Sequence, residues 1–272
     1  MTFEALTRKL EYILVKPNHL ELIEHTSLQE REGFGTGIDP QELPEVLQFI
    51  ARNGHIWLQY AVENNVRNPT GVIGLLPLER AMKYDPNNIA TEHDITASPL
   101  TVIMQNQERA FKDARKFAND KDIIYHHGIS MSRRHKGYGT LLLNYALGNT
   151  PNIRNRIITC PIDAAQVDEE SGKLIPAANE RAYTIHMKAG FVLAGVVDPP
   201  VYDDRITYFS FVRSSDLAPF QFNGARTEKL NFNNPSIDTK IQQIRELTSS
   251  GYFGVGYDRA SHEMTFMKLK WA

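Results

Sequence analysis

The chain has 272 residues, 42% of them hydrophobic and 23% charged, enough to bury the core of one large domain or two small ones. A net charge of −2 is unlike that of a dedicated nucleic-acid binder, no apolar run reaches the roughly 18 residues of a membrane helix, and the single cysteine, Cys160, excludes an internal disulfide and a Cys-rich zinc site. The segment Met1 to Lys9 lacks a basic stretch followed by an apolar one, and Asn-Pro-Thr (68–70) and Asn-Pro-Ser (234–236) carry the proline that blocks glycosylation, so a cytoplasmic location is expected.

In chain order, Tyr12-Ile13-Leu14-Val15 reads as a short strand, and Asn18 to about Ser27 as a helix start. A Gly-rich loop (Gly33, Gly35, Gly37) follows. Asp39-Pro40 opens a helix, with Asp as cap and Pro in the first turn. Its apolar face is Leu43, Val46, Leu47 and Ile50, and Asn53-Gly54 ends it. His55 to Val62 and Gly71 to Leu78 read as two strands of a hairpin around a turn rich in Asn and Pro. Tyr84 to Pro99 is polar and irregular. Asn106 to Asn119 predicts a helix with Ala110, Phe111, Ala114 and Phe117 on one side. Residues 80–120 therefore read as an insertion.

From Ile123 an apolar strand runs through Ile129 into a basic glycine turn, then a helix from about Tyr138 to Leu147 ended by Gly148. Arg156 to Ile162 is a strand, Ala165 to Ala177 a long charged loop, and Ala178 to Ala189 a helix stopped by Gly190. Strands at Phe191 to Val197 and Ile206 to Val212 follow. The tail holds a helix near Ile237 to Leu247, then Tyr252 to Val255 and Met264 to Leu269 as a hairpin. Hairpin-like strands early and strand–helix–strand units later predict an α/β fold: a mixed, mostly antiparallel central sheet with helices on both faces. The expected division is a domain over 1–213, with the insertion at about 80–120, and a C-terminal α+β extension over 214–272.

Residues 134–139 read Arg-His-Lys-Gly-Tyr-Gly, and strand, basic glycine turn and helix in that order build an anion site. Glycines let the backbone approach a ligand, and the free amides of a helix start point at it. A basic surface turn that merely caps a helix reads the same way. A nucleotide P-loop is absent, and Gly137-x-Gly139 lacks the third glycine of a dinucleotide fold. That leaves another phosphate-bearing ligand, such as a coenzyme A pyrophosphate.

Ile129-Ser-Met-Ser-Arg-Arg134-His-Lys-Gly137-Tyr-Gly139 resembles the pyrophosphate loop of the GNAT superfamily of acyl-CoA-dependent N-acetyltransferases. Asn179-Glu-Arg-Ala182-Tyr-Thr-Ile-His186-Met-Lys-Ala-Gly190-Phe191 resembles its second signature, about 40 residues on and after one strand, as in the family. The resemblance covers roughly 121–148 and 178–197. It implies acyl transfer, with acetyl the expected group, from acetyl-CoA or another acyl-CoA to a small-molecule or peptide amine. No nucleic-acid or membrane partner is implied.

The resemblance also implies residue roles. Amides of residues 134–140 (Arg134, His135, Lys136, Gly137, Tyr138, Gly139, Thr140) would hold the pyrophosphate. The backbone of Ile129 and Met131 would pair with the pantetheine arm, the Ile129 amide would donate to the oxyanion, and Asn179 would contact the pantetheine. His186 stands where the family usually has Tyr; an imidazolium there, with the ordinary His pKa of about 6.5, is one candidate for the acid that protonates the leaving thiolate, Tyr183 and water being the others. The usual base positions fall on Tyr125 and Ile123. His127 is the nearest substitute if Tyr125, His127 and Ile129 share a face, and a strand bulge would bring in His126 instead.

Other features read more plainly. His126-His127 with His135 invites a metal reading, but neither a His-x-x-x-His helix nor a carboxylate at ligand spacing supports it, so no metal is expected. Cys160 reads as a core thiol; an acyl-cysteine would need a base that no sequence neighbour supplies. Asp168-Glu169-Glu170 reads as a solvated loop, or as an attractor for a cationic amine. The same fold without turnover, as an acyl-CoA-binding regulatory module, or with a longer acyl chain, is the alternative.

Overall fold

The computed structural model describes residues 9–19, 21–23, 25, 42–83, 111–131, 137–167, 174–197, 207–214, 222–233 and 237–270. Strand β1 is Lys9–Val15, helix α1 Glu42–Asn53, β2 His55–Glu63, β3 Val66–Pro77 and the one-turn α2 Leu78–Ala81. Then come β4 Ile123–Met131, α3 Tyr138–Asn149, β5 Ile157–Asp163, β6 Ala165–Val167, β7 Leu174–Ala178 and α4 Glu180–Lys188. The chain continues with β8 Val192–Val197, β9 Tyr208–Ser214, β10 Phe222–Asn231, α5 Ile237–Ser249, β11 Tyr252–Asp258 and β12 Glu263–Leu269.

Ten strands form one sheet in the order β1-β2-β3-β4-β5-β9-β8-β11-β12-β10. Neighbours are antiparallel except β4 and β5, which are parallel. One face carries α1, α2 and Phe111, with Val46, Leu47, Ile50, Leu78, Tyr125 and Val212 in its core. The other carries α3, α4 and α5, over Leu142, Tyr183, Ile244, Ile158, Phe209 and Phe211. Helices thus cover both faces, as the alternation of strand and helix patterns requires.

Local chemistry explains the elements. The β2–β3 turn is Asn64-Asn65, both at positive φ (51° and 62°), the conformation a two-residue hairpin demands and Asn tolerates. Pro69 lies inside β3, not in the turn: Gln59 pairs with Gly71 and Tyr60 with Pro69, so the strand accommodates the proline beside a bulge. Leu78 leaves the strand and begins α2.

Several expectations change. Over 111–119 the helix expected for 106–119 is replaced by turns and a single 3₁₀ turn, Ala114–Lys116. The Phe117 amide reaches only to Ala114, and a second 3₁₀ turn at Asp120–Asp122 redirects the chain into β4. Phe111 and Ala114 are buried nonetheless. Helix α3 passes through Gly148 to Asn149, and the Thr150 amide still bonds to Ala146. The segment read as a charged loop contains a β-hairpin, β6–β7, and β10 arises where no strand was expected.

Tail elements continue the main sheet. β11 meets β8 at Gly254 opposite Leu193. A Cβ on Gly254 would stand 2.9 Å from both Leu193 Cβ and Met264 Sδ, so only glycine lets these strands approach so closely.

Candidate active site

β4 pairs with β5 only through Ile123, Ile124 and Tyr125, opposite Ile157, Ile158 and Thr159. Both strands then continue, β4 to Met131 and β5 to Asp163. Beyond Tyr125 no pairing joins them among the described residues, so the two arms splay and a length of β4 edge, including Ile129 and Met131, has no strand partner on that side among them. Such an edge can hydrogen-bond an extended ligand as if it were a strand.

The far end of the splay is closed by the start of α3. Gly137 is its N-cap, at φ 74° and ψ 6°, a left-handed conformation that glycine adopts freely. A Cβ there would meet nothing within 4 Å among the described residues. At Gly139 a Cβ would come to 3.1 Å of Ile185 Cδ1 and 3.6 Å of Met131 Cγ, so glycine lets α3 start close against α4 and β4. The Tyr138 carbonyl is held by buried Gln59 Nε2 at 3.4 Å, while Gln59 Oε1 accepts from Thr70 at 2.9 Å. Thr140 lies in the same first turn. Arg134, His135 and Lys136 lie outside the described residues, as does Asp168-Glu169-Glu170.

The strand bulge foreseen as an alternative is present. Gly74 pairs with Gly128 and Leu75 with His126, leaving His127 as the extra residue. His127 turns toward α1: its ring lies 6.1 Å from that of Tyr125, and Ile50 and His127 are both neighbours of Gly74. Ile129 packs with the opposite core. Tyr125, His127 and Ile129 therefore do not share a face, because the bulge reverses the alternation between 127 and 129.

His126 points under α4, where it meets Cys160 and His186. Cys160 Sγ lies 3.0 Å from His126 Nδ1 and 3.6 Å from His186 Nε2. All three residues are buried. His186 Nδ1 donates to the Ala182 carbonyl at 2.8 Å; a carbonyl only accepts, so Nε2 presents its lone pair to the sulfur. Burial lowers the His186 pKa to about 4 and pushes the Cys160 thiol well up. At that pKa the neutral imidazole predominates near pH 7, which disfavours the imidazolium that is one of the three candidate acids.

Tyr183 is fully buried, its hydroxyl donating to the Ala164 carbonyl at 2.5 Å. Its ring stacks on Phe211. Burial raises its pKa well above the usual phenol value, and this packing suits a core anchor better than a proton donor. Asn179 is the N-cap of α4, partly buried, and makes no side-chain capping bond.

One group escaped the sequence reading. Asp163 ends the β5 arm of the splay, where burial raises its pKa from 3.8 to about 6. Strand alternation sets it on the α1 face, opposite Cys160 and Ile162. Its signal in the sequence was a lone carboxylate at the end of the apolar run Ile157–Ile162, which the focus on β4 passed over.

Of the first signature, Ile129 to Met131 lie on β4 and Gly137 to Gly139 at the start of α3; the second lies on α4 and its exit at Gly190, φ 87°. The fold is the expected one, a mixed, mostly antiparallel sheet with helices on both faces. Solved structures similar to it include the acetyltransferase of GNAT family from Streptococcus pneumoniae, at 14% identity over 75% of this chain and 98% of that one, TM-score 0.40. The aminoglycoside 6'-N-acetyltransferase from Enterococcus faecium matches at 15% identity over 77% and 99%, TM-score 0.42. A phosphinothricin acetyltransferase from Sinorhizobium meliloti, in complex with AcCoA, matches at 14% over 79% and 94%, TM-score 0.42. No family model matches the chain, and no curated protein does.

Proposed function

We propose that the protein is an acyl-CoA-dependent N-acyltransferase that moves acetyl from acetyl-CoA to a small-molecule or peptide amine by direct attack. The observation that carries this reading is the divergence of β4 from β5 after Tyr125, beside a helix that starts at a left-handed Gly137. An extended pantetheine arm fits the β4 edge, and a pyrophosphate fits the exposed amides of α3. A helix start supplies roughly half a positive charge there.

Each residue then has a task. The backbone of Ile129 and Met131 aligns the arm, and the Ile129 amide donates to the oxygen that becomes negative as the amine attacks. The amides of Gly137 to Thr140 hold the pyrophosphate, with Arg134, His135 and Lys136 adjoining in sequence. Asn179, with no capping bond to make, is available to the pantetheine. Asp163, with a pKa of about 6, takes the proton from the amine, in the range where a general base works near neutrality. His127 is the second basic group on that face. The thiolate, whose ordinary pKa is about 8.5, leaves without an imidazolium and is protonated by water.

The neutral, buried state of His186 favours a second reading, a non-catalytic acyl-CoA-binding module. The same fold serving a longer acyl chain is a variant of the first. One experiment separates them: release of free thiol from acetyl-CoA and longer acyl-CoAs across an amine panel, beside thermal denaturation with each acyl-CoA. Turnover with one amine, abolished in Gly137→Trp, supports the transferase. Stabilisation without thiol release supports the module. No stabilisation by any acyl-CoA overturns both, since a ligand bound at 100 times its Kd adds about 2.7 kcal/mol to the folded state.

A further inference from the structure

The His126, Cys160 and His186 cluster lies at the root of the splay, and the acyl-transfer reading gives none of its side chains a task. We propose that these three side chains form a binding site for a thiophilic divalent cation, with zinc the ion their chemistry suits best. They come from β4, β5 and α4, and their ligand atoms all lie within 4.8 Å of one another. Around a tetrahedral zinc, with Zn–N of about 2.0–2.1 Å and Zn–S of about 2.3 Å, neighbouring donors stand roughly 3.3–3.6 Å apart. The sulfur already lies 3.0 Å and 3.6 Å from the two nitrogens.

The ring of His186 is set as a metal ligand's would be. Its Nδ1–H is bound to the Ala182 carbonyl, which locks the tautomer and leaves the Nε2 lone pair on the cluster. Ligating histidines are oriented by such a bond on the far nitrogen. His126 is buried with its Nδ1 toward the sulfur and its Nε2 without a hydrogen-bond partner. With His186 so fixed, the one thiol proton can serve only one of the two imidazoles. A cation accepts all three lone pairs at once.

The donor set selects the ion. One thiolate and two imidazoles suit zinc and disfavour magnesium and calcium, which take oxygen ligands. Binding releases the thiol proton, so each ion displaces one proton and the site carries a net charge of +1. Three protein ligands leave the fourth tetrahedral position to water or another small ligand, as in open zinc sites. His126 and Cys160 are the first residues past the last β4–β5 pair, so the ion would also tie the two arms together at the root of the splay.

Cobalt(II) tests this directly, because Cys160 is the only cysteine in the chain and any thiolate-to-cobalt charge-transfer band must come from it. The full-length, metal-stripped protein is titrated with cobalt, without acyl-CoA, and zinc content is measured on protein purified without chelator. Expected are one cobalt per chain, a near-ultraviolet thiolate band, tetrahedral visible bands, and displacement of all three by zinc. Cys160→Ser should lose the band and bind at least tenfold more weakly, and His186→Gln should weaken binding while keeping the band. Folded wild-type protein that binds no cobalt, or binds it without a thiolate band, overturns the proposal. So does unchanged cobalt affinity in folded Cys160→Ser. The wild-type spectrum decides the matter even if a variant fails to fold, and the acyl-CoA reading is untouched by either result.

Discussion

At the scale of single residues, burial assigns protonation states that the sequence could only pose as questions. His186 occupies a place where an aromatic donor is expected, yet its packing against Phe191 and Phe211 and its pKa of about 4 keep it neutral. Asp163 is displaced the other way, from 3.8 to about 6. The sign of its effect on stability follows from proton counting. Between those two values the folded chain holds a proton that the unfolded chain has released, so stability falls as pH rises through this window. Asp163→Asn removes that loss. The metal-free variant should therefore be more stable than the wild type above pH 6 and match it below 3.8, read from denaturant midpoints across pH. If Asp163 is also the base, the variant's kcat/KM falls and the limb rising with an apparent pKa near 6 disappears. A purely structural Asp163 would change the midpoints and leave the pH–rate profile in place.

Among elements, α4 is the joint between the splay and the tail. Glu180 in its first turn accepts from Tyr257 Oη at 2.6 Å and from His262 Nδ1 at 2.5 Å, clamping β11 and the β11–β12 turn to the helix. Its charge also complements the positive end of α4. Glu180→Ala leaves the part-buried Tyr257 hydroxyl without its acceptor, at a cost of about 1–3 kcal/mol. Amide exchange should then speed up over β11 and β12 while β2 and β3 keep their protection; uniform acceleration would refute the clamp. Much of this scale was legible beforehand. Alternation and turn chemistry marked β2, β3, β4 and β9, and Gly190 marked the end of α4. What escaped has physical reasons. The bulge at His127 depends on pairing with Gly74 and Leu75, some fifty residues away, which no local pattern records. β6 is only three residues long and β7 carries a proline among its five, so neither signals a strand, and β10, with Arg226, Glu228 and Lys229 exposed, takes its strand form from β12. The motifs of the candidate site were readable because glycine turns are local; the meeting of His126, Cys160 and His186 was not, because it is made by three elements and no spacing.

For the whole molecule, the question is whether the part up to β9 can stand without the tail. The sequence suggested a division after residue 213, yet the sheet runs through that point. β8 has β9 on one side and β11 on the other, and Leu230, Ile244, Met264 and Phe266 share one core with Tyr183, Phe209 and Phe211. Removing residues 215–272 would take α5 off β8 and Gly254 off Leu193, and turn β8 into an open edge. Exposed apolar edges of this kind pair with other chains. We expect the chain ending at Ser214 to be recovered mainly as aggregate, and any soluble fraction to lack a cooperative thermal transition. A truncated chain that is monomeric and melts cooperatively would instead mean that the tail is an accessory layer. The outcome bears on the site, because α4 meets the tail through Glu180 and Tyr183 and also carries His186. If the tail is required, a tail substitution such as Tyr257→Phe should weaken acyl-CoA binding although it lies outside the splay, and calorimetric titration of that variant measures the coupling directly.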